Sequence, residues 1–222
     1  MGMAGAMISE SFARLSDSLG LNATLRDKAW ALLQTAYSEP HRHYHTLSHI
    51  EAVVAQFEAL RSKFTAPDAM LLALFFHDLV YDAMRSDNEA RSAEQTRDLL
   101  SDAVDEAILG KACDAILATK HHTSVGDADI DLMVDIDMSI VAAPWPDYLA
   151  YAEGVAREYM PVYGEAYAAG RAGLFLLPTL QHAHIFLTES YRRREDEARA
   201  NLKAELEMWL SGAFAERLKS GL

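Results

Sequence analysis

Apolar residues recur at helical spacing along nearly the whole chain. Near the N-terminus the apolar positions follow i, i+4, i+7, i+8 and i+11 and share one helix face, formed by Leu25, Ala29, Leu32, Leu33 and Ala36. The same periodicity predicts further helices over 47–63, 66–81, 90–100, 104–121, 147–158, 179–191 and 195–210. Capping boxes beginning at Thr65 and Ser86 are predicted to open the second and third of these. Strand-like alternation is nearly absent and only 134–141 is ambiguous, so we predict an all-α, single-domain helical bundle spanning 1–222.

The composition of the chain indicates which kinds of binding partner are not expected. The chain has 222 residues with 20 Lys and Arg against 33 Asp and Glu, which gives a net charge of −13. Such an acidic protein is not expected to bind nucleic acid or an anionic membrane, because both need a basic face. A small phosphate ester in a locally positive pocket stays compatible with this charge. The apolar runs are shorter than the roughly 20 residues that a membrane helix needs.

Two further features concern the compartment and the redox chemistry. No Lys or Arg precedes the short apolar stretch at the N-terminus, so no secretory signal is expected and a cytoplasmic location is predicted. The only cysteine, Cys113, excludes an intramolecular disulfide and a cysteine-based zinc cluster.

The nine histidines include a pair of chemical interest, His77-Asp78, at the end of the very apolar segment 70–76. An aspartate beside a histidine in a buried helix is unfavourable unless it is paired or binds a metal. One interpretation is structural, with an Asp that bridges its neighbours and a His that is satisfied in the core. The other is a metal site, completed by a histidine near residue 49 and by one of the two carboxylates Asp135 and Asp137. Because residues i and i+2 of a helix do not face together, only one of those two aspartates is expected to be a ligand.

The order of these residues resembles the HD superfamily of metal-dependent phosphohydrolases, an all-helical fold defined by H…HD…D. The flanking residues resemble a bacterial subfamily of predicted HD phosphohydrolases with no assigned substrate, over about residues 25–205. Four strings carry the resemblance: Glu39-Pro-His-Arg-His-Tyr-His-Thr-Leu-Ser-His49-Ile, Phe76-His-Asp-Leu-Val-Tyr-Asp82, Asp87-Asn-Glu-Ala-Arg-Ser-Ala93 and Val134-Asp-Ile-Asp-Met-Ser-Ile140.

The resemblance implies four metal ligands: His49, His77, Asp78 and Asp137. Asp137 is preferred over Asp135, which stays the alternative. Two imidazoles and two carboxylates suit one divalent ion, Mn, Fe, Co, Ni or Zn, with Mg also compatible. Such an ion would leave positions for a water and a substrate oxygen. A second metal held by His121 or His122 is not expected.

Three residues of these motifs are candidates for catalysis. Arg42 is a candidate phosphate clamp, since its planar fork matches phosphate oxygens, although a surface salt bridge would also explain it. His45 is a candidate proton donor or phosphate contact, or it hydrogen-bonds a helix end. Asp82 follows Asp78 by four residues and would share its helix face if the helix continued, which makes it a candidate acid or base; otherwise it is a surface residue.

These observations predict a metal-dependent phosphohydrolase that acts on a nucleotide or another small phosphate ester. Two alternatives remain on the same scaffold. The adjacent His121 and His122 are compatible with a di-iron oxygenase, and the fold is also compatible with a non-catalytic module that binds a nucleotide. The sequence does not determine the substrate, the native metal or the oligomeric state.

Overall fold

The all-α prediction is confirmed. The structure, a computed structural model, describes the backbone of residues 3–220 and the side chains of residues 7–220, and its regular elements in that range are all helical. Its internal contacts divide the chain into two compact units, Met1–Asp137 and Met138–Leu222. The single domain over 1–222 stays a prediction. Within the described range, no helix combines the length and the apolarity needed to cross a membrane.

The first unit is organised around one very apolar helix, α4, in which every residue from Ala69 to Phe76 is buried. Helix α4 packs against α1, α3, α5, α6 and α7. Because its neighbours surround it, this helix has no polar face, unlike the amphipathic helices around it. The bounds of the elements are α1 Met3–Ser18, α2 Ala23–Ala36, α3 Leu47–Leu60 with a 3-10 turn at Arg61–Lys63, α4 Pro67–Phe76, α5 Asn88–Leu100, α6 Glu106–Ala118 and α7 Ala128–Asp137.

Helix α4 is shorter than predicted and begins in a different way. The predicted helix 66–81 ends at Phe76, and residues 77–80 form turns. The predicted capping box at Thr65 does not form. Instead the carboxylate of Asp129, in α7, accepts hydrogen bonds from the backbone amides of Thr65 and Ala66 at 2.9 and 2.8 Å and from the Thr65 hydroxyl at 2.7 Å. A carboxylate distant in sequence therefore satisfies the free amides at this helix start.

Three other bounds differ from the prediction. The expected capping box at Ser86 is also wrong: α5 begins at Asn88, and its N-cap residue Asp87 makes no side-chain cap hydrogen bond. Helix α6 ends at Ala118, so His121 and His122 lie in the turn that follows. The ambiguous segment 134–141 is helical, since α7 runs to Asp137 and a 3-10 turn follows over Met138–Ala142.

The second unit begins with that 3-10 turn and has Glu205 of α12 at its centre. The Glu205 carboxylate is fully buried and accepts hydrogen bonds from Arg171 at 2.9 Å, Trp209 at 3.0 Å and the Tyr148 hydroxyl. Burial of this charge is tolerated because the guanidinium and the other donors compensate it. The elements are α8 Trp145–Tyr163, α9 Ala166–Arg171, a π-helical turn at Ala172–Leu176, α10 Leu177–Gln181, α11 Glu189–Arg192, α12 Glu195–Ser211 and α13 Ala213–Ser220.

The predicted helix 179–191 is wrong. Helix α10 ends at Gln181, and the chain is non-helical until α11 begins at Glu189. Side chains of α12 replace the missing helical hydrogen bonds: Arg199 donates to the carbonyl oxygens of residues 180, 182 and 183, and Glu195 accepts from the amides of residues 185 and 186. His182 and His184, which periodicity would place on an apolar helix, are exposed in this segment.

Candidate metal centre

The core of the site is the turn that follows α4. His77 is the first residue beyond this helix and is 1 % exposed. Its Nδ1 lies 2.9 Å from the carbonyl oxygen of Leu74, so the ring proton belongs on Nδ1. The other ring nitrogen, Nε2, lies 3.1 Å from a carboxylate oxygen of Asp78. The hydrogen bond to the local backbone thus leaves the Nε2 atom of His77 facing Asp78.

His49 comes to the same place from α3. It is the third residue of that helix and is buried. The Nε2 atoms of His49 and His77 are 3.2 Å apart. Thr46 occupies the N-cap position of α3, but it makes no side-chain cap hydrogen bond.

Asp137, the last residue of α7, completes the convergence. One of its carboxylate oxygens, Oδ1, lies 3.2 Å from His49 Nε2 and 3.4 Å from His77 Nε2. Asp135 is also buried, but residues two apart on a helix lie about 200° apart around its axis. The carboxylates of Asp135 and Asp137 therefore leave α7 in different directions, and it is Asp137 that approaches both histidines.

The spacing of the donor atoms fits a metal ion. Neighbouring ligands of an octahedral ion at about 2.1 Å are about 3.0 Å from each other. The Nε2 atoms of His49 and His77 and an oxygen of Asp78 all lie within 4.8 Å of one another, so this group could hold a metal ion. Asp137 adds a second carboxylate next to both histidines. The four side chains that the resemblance implied are therefore brought together, while their role as ligands stays a prediction.

Electrostatics couple these groups strongly. Burial lowers the pKa of His77, but Asp78 and Asp137 outweigh it and the pKa is raised well above its usual value. Burial raises the pKa of both aspartates, but His77 and the other histidines reverse this and lower the pKa of each. Without a metal, the imidazolium of His77 therefore balances the two carboxylates. A metal ion would replace that proton, because ligation needs the neutral imidazole.

A third histidine, His122, contacts the other side of Asp137. Its Nε2 lies 3.4 Å from Asp137 Oδ2, and its side chain is 32 % exposed. The backbone of His122 has φ +49°, a conformation that few residues other than glycine adopt. The neighbouring His121 is exposed and lines a shallow groove of about 450 Å³ with Leu117 and Val125.

Arg42 lies against the turn that carries Asp78. Its side chain is fully buried, and it donates hydrogen bonds to the backbone carbonyl oxygens of Asp78 at 2.6 Å and Leu79 at 3.0 Å. Its Nε atom donates to the Glu39 carboxylate at 2.9 Å. These donors point to protein atoms, and the phosphate-clamp role of Arg42 stays a prediction.

The two remaining candidates differ in exposure. His45 is half-buried, its ring centroid lies 5.9 Å from that of His49, and its charge contributes to the lowered pKa of Asp78. Asp82 is exposed, and its carboxylate accepts a hydrogen bond from the Met84 amide at 2.8 Å. Asp82 does not share a helix face with Asp78, because α4 ends at Phe76. Roles for His45 and Asp82 in catalysis stay predictions.

Sequence reasoning missed Tyr37. It lies four residues after Leu33 and so continues the buried face of α2, which the periodicity indicates, but nothing in the sequence shows where its hydroxyl binds. In the structure that hydroxyl donates to the carbonyl oxygen of Phe75 at 3.0 Å. Burial raises the pKa of Tyr37 most, and Asp78 raises it further. Tyr37 thus belongs to the surroundings of Asp78.

Comparison with known proteins does not add an identity. No protein-family model matches the chain, and no curated protein matches it. The class of site rests on the donor set itself, two imidazoles with one or two carboxylates, which is the ligand chemistry of a divalent transition metal.

Proposed function

We propose that this protein is a metal-dependent phosphohydrolase that acts on a nucleotide or another small phosphate ester. The observation that carries the proposal is the convergence of His49, His77, Asp78 and Asp137, which come from three different helices or the turns after them. Resemblance to the HD superfamily motif names the same four residues in the same order.

The donor set fits one divalent ion, for which His49, His77 and Asp78 are the proposed core ligands and Asp137 the fourth. Such an ion would supply Lewis-acid polarisation of a phosphoryl oxygen and lower the pKa of a water molecule. The chain contributes the orientation of the donors, through the Nδ1 hydrogen bond of His77, and a site that is largely closed to solvent. No nucleophilic serine or cysteine is required for this chemistry.

The reaction needs one proton transfer that the chain must manage. Water loses a proton as it attacks phosphorus in line with the leaving oxygen, the bond from phosphorus to that oxygen breaks, and the leaving oxygen takes up a proton, so that one proton passes in total from the water to the leaving group. His45 is the proposed donor, because it is half-buried and close enough to lower the pKa of Asp78. Asp82 is the alternative acid or base, from a more exposed position.

A metal-loaded substrate screen tests this function. The protein is stripped with a chelator, reloaded separately with Mn²⁺, Fe²⁺, Co²⁺, Ni²⁺, Zn²⁺ or Mg²⁺, and assayed for phosphate release from nucleotides and phosphomonoesters. We expect about one equivalent of metal per chain and hydrolysis of at least one compound. The variant Asp78→Ala should lose both.

The matched control is Asp98→Ala, at an exposed aspartate of α5 outside the site. It should retain metal and activity. Less than about half an equivalent of metal in the wild-type protein, together with no cleavage of any compound, would contradict the proposal. Tight binding of a nucleotide that stays intact, and that survives Asp78→Ala, would favour the non-catalytic binding module.

One observation favours a second candidate, the di-iron oxygenase. Asp137 has an imidazole near each of its oxygens, with His49 and His77 on Oδ1 and His122 on Oδ2. A bridging carboxylate of this kind is what a dinuclear site would need. Counting iron per chain and measuring O₂ consumption with organophosphonate or polyol substrates separates the two functions, since one metal per chain would remove the oxygenase.

A further inference from the structure

We propose that Arg42, assisted by Tyr37, is a positioning residue that fixes Asp78 in the orientation needed to bind a metal. This inference rests on the metal site of the proposed function. It assigns Arg42 a role through the backbone of Asp78 instead of through a phosphate group.

The need for such a residue follows from how α4 ends. The last carbonyl groups of a helix have no partners within it, the turn beyond α4 adds further carbonyl groups, and buried carbonyls of either kind require a donor. Arg42 supplies donors to the carbonyl oxygens of Asp78 and Leu79, at 2.6 and 3.0 Å. Tyr37 supplies a donor to that of Phe75, at 3.0 Å. Side chains from outside α4 therefore hold the backbone on both sides of His77.

The guanidinium itself is held firmly. Its Nε donates to Glu39 at 2.9 Å, and its central carbon lies 5.1 Å from the ring centroid of Tyr37 and 5.4 Å from that of Tyr81. The side chain of Arg42 has no exposed surface. A donor group locked in this way can fix the position of the atoms it binds.

The consequence concerns Asp78 directly. Asp78 follows His77 directly in the chain, and Arg42 donates a hydrogen bond to the backbone carbonyl oxygen of Asp78 itself. The contact therefore acts on the same residue that carries the carboxylate. Without Arg42, the carbonyls of Asp78 and Leu79 would lose charge-assisted hydrogen bonds, and the turn would relax. A metal ligand whose support is removed typically binds its ion about 10–100-fold more weakly.

The test compares both ends of the same helix. Mn²⁺ affinity is measured by isothermal titration calorimetry, and hydrogen exchange is measured for residues 77–81. The variants are Arg42→Met, Arg42→Lys and Tyr37→Phe. The control is Asp129→Asn, which weakens the N-terminal cap of α4 without touching the turn.

We expect Arg42→Met to bind Mn²⁺ about 10–100-fold more weakly and to exchange faster at 77–81. Arg42→Lys should recover only part of the affinity, because an ammonium group cannot bind both carbonyls and Glu39 in the same planar geometry. Tyr37→Phe should show a smaller loss of affinity. Asp129→Asn should keep its Mn²⁺ affinity within about threefold of the wild-type value. This should hold even if its unfolding temperature falls as much as that of Arg42→Met.

The outcomes separate the inference from the proposed function. If the wild-type protein binds no Mn²⁺ or other divalent metal, the proposed function fails and this inference fails with it. If the wild type binds Mn²⁺ and Arg42→Met binds it equally well, only the inference is overturned. An equal loss in Asp129→Asn would also overturn it, because the effect would then be one of general stability. If Arg42→Met does not fold, Arg42→Lys and Tyr37→Phe decide by the same criteria.

Discussion

A single hydrogen bond decides which nitrogen of His77 faces the site. The Nδ1–H group donates to the carbonyl oxygen of Leu74, one turn back along α4, and this leaves Nε2 to face His49 and the carboxylates. In many metal sites the ligating histidine makes such a bond with its second nitrogen. Asp78 and Asp137 raise the pKa of His77 and so favour a positive charge at this position, which is where a metal cation would also be favoured.

Replacing Asp135 and Asp137 of α7 separately tests which of them is the ligand. Asp137→Asn should weaken Mn²⁺ binding at least about 10-fold, because Asp137 is the carboxylate close to both histidine nitrogens. Asp135→Asn should leave about one metal per chain, although it can lower stability since Asp135 is buried. Metal affinity is measured by calorimetry and stability by urea unfolding.

Asp135→Asn serves as the matched control, with the same change two residues away on the same helix. Loss of metal in Asp135→Asn, with normal binding in Asp137→Asn, would reverse the assignment of the fourth ligand.

The sequence names the chemical groups of the site better than their supports. His77 and Asp78 stand out because charged groups in apolar surroundings need a reason to be there, whereas His49 and Asp137 are selected by the resemblance to the HD motif. Arg42 was recognised too, but as a phosphate contact. Its partners are backbone carbonyls of a turn that the helical periodicity did not predict, so no pattern of side chains could reveal them.

At the scale of elements, α4 shows why helix bounds are hard to predict from sequence. Its apolar residues are evident from the sequence, and Pro67 lies in the first turn. Both ends depend on side chains far along the chain, with Asp129 at the start and Arg42 just beyond the end. A local capping box is a property of neighbouring residues, whereas these contacts exist only once the helices have packed.

The cap of α4 gives a prediction about pH. Burial raises the pKa of Asp129, but hydrogen bonds from Thr65, Ala66 and Lys111 outweigh it, so the pKa is lowered. A carboxylate whose pKa is lowered by folding stabilises the folded state above its unfolded pKa of about 4 and loses this effect as the pH falls. Asp129→Asn should therefore reduce the free energy of unfolding by about 1–3 kcal/mol at pH 7.

The difference between wild type and Asp129→Asn should shrink as the pH falls below about 4, where the wild-type carboxylate is increasingly protonated. Urea unfolding at several pH values measures it. Asp98→Asn, at an exposed position, should differ little from wild type throughout. If the difference in the free energy of unfolding between wild type and Asp129→Asn stays constant down to about pH 2, the charge of Asp129 does not contribute to stability.

The second unit shows a different failure of periodicity. The helix expected over 179–191 is interrupted because Arg199 and Glu195 bind the backbone of residues 180–186 in place of helical partners. In contrast, α12 was predicted closely, since its apolar spacing is regular and acidic residues occupy its first turn. The prediction over 179–191 fails because side chains of α12 compete for its backbone groups, and no such competition interrupts α12.

At the scale of the whole molecule, the proposed ligands all fall within Met1–Asp137. Ligand binding stabilises whatever unfolds together with the site, by about 2.7 kcal/mol at a free ligand concentration 100 times the dissociation constant. For a chain of this size that corresponds to roughly 5–10 °C in unfolding temperature. We expect Mn²⁺ to produce such a rise in scanning calorimetry, and His77→Ala to abolish it.

Because the sequence predicts one domain, the wild-type protein should show one unfolding transition, and Mn²⁺ should raise the temperature of the whole transition. A second unfolding transition whose temperature does not change with Mn²⁺ would contradict the single-domain prediction. An unfolding temperature that stays the same at saturating Mn²⁺ would contradict the metal site itself.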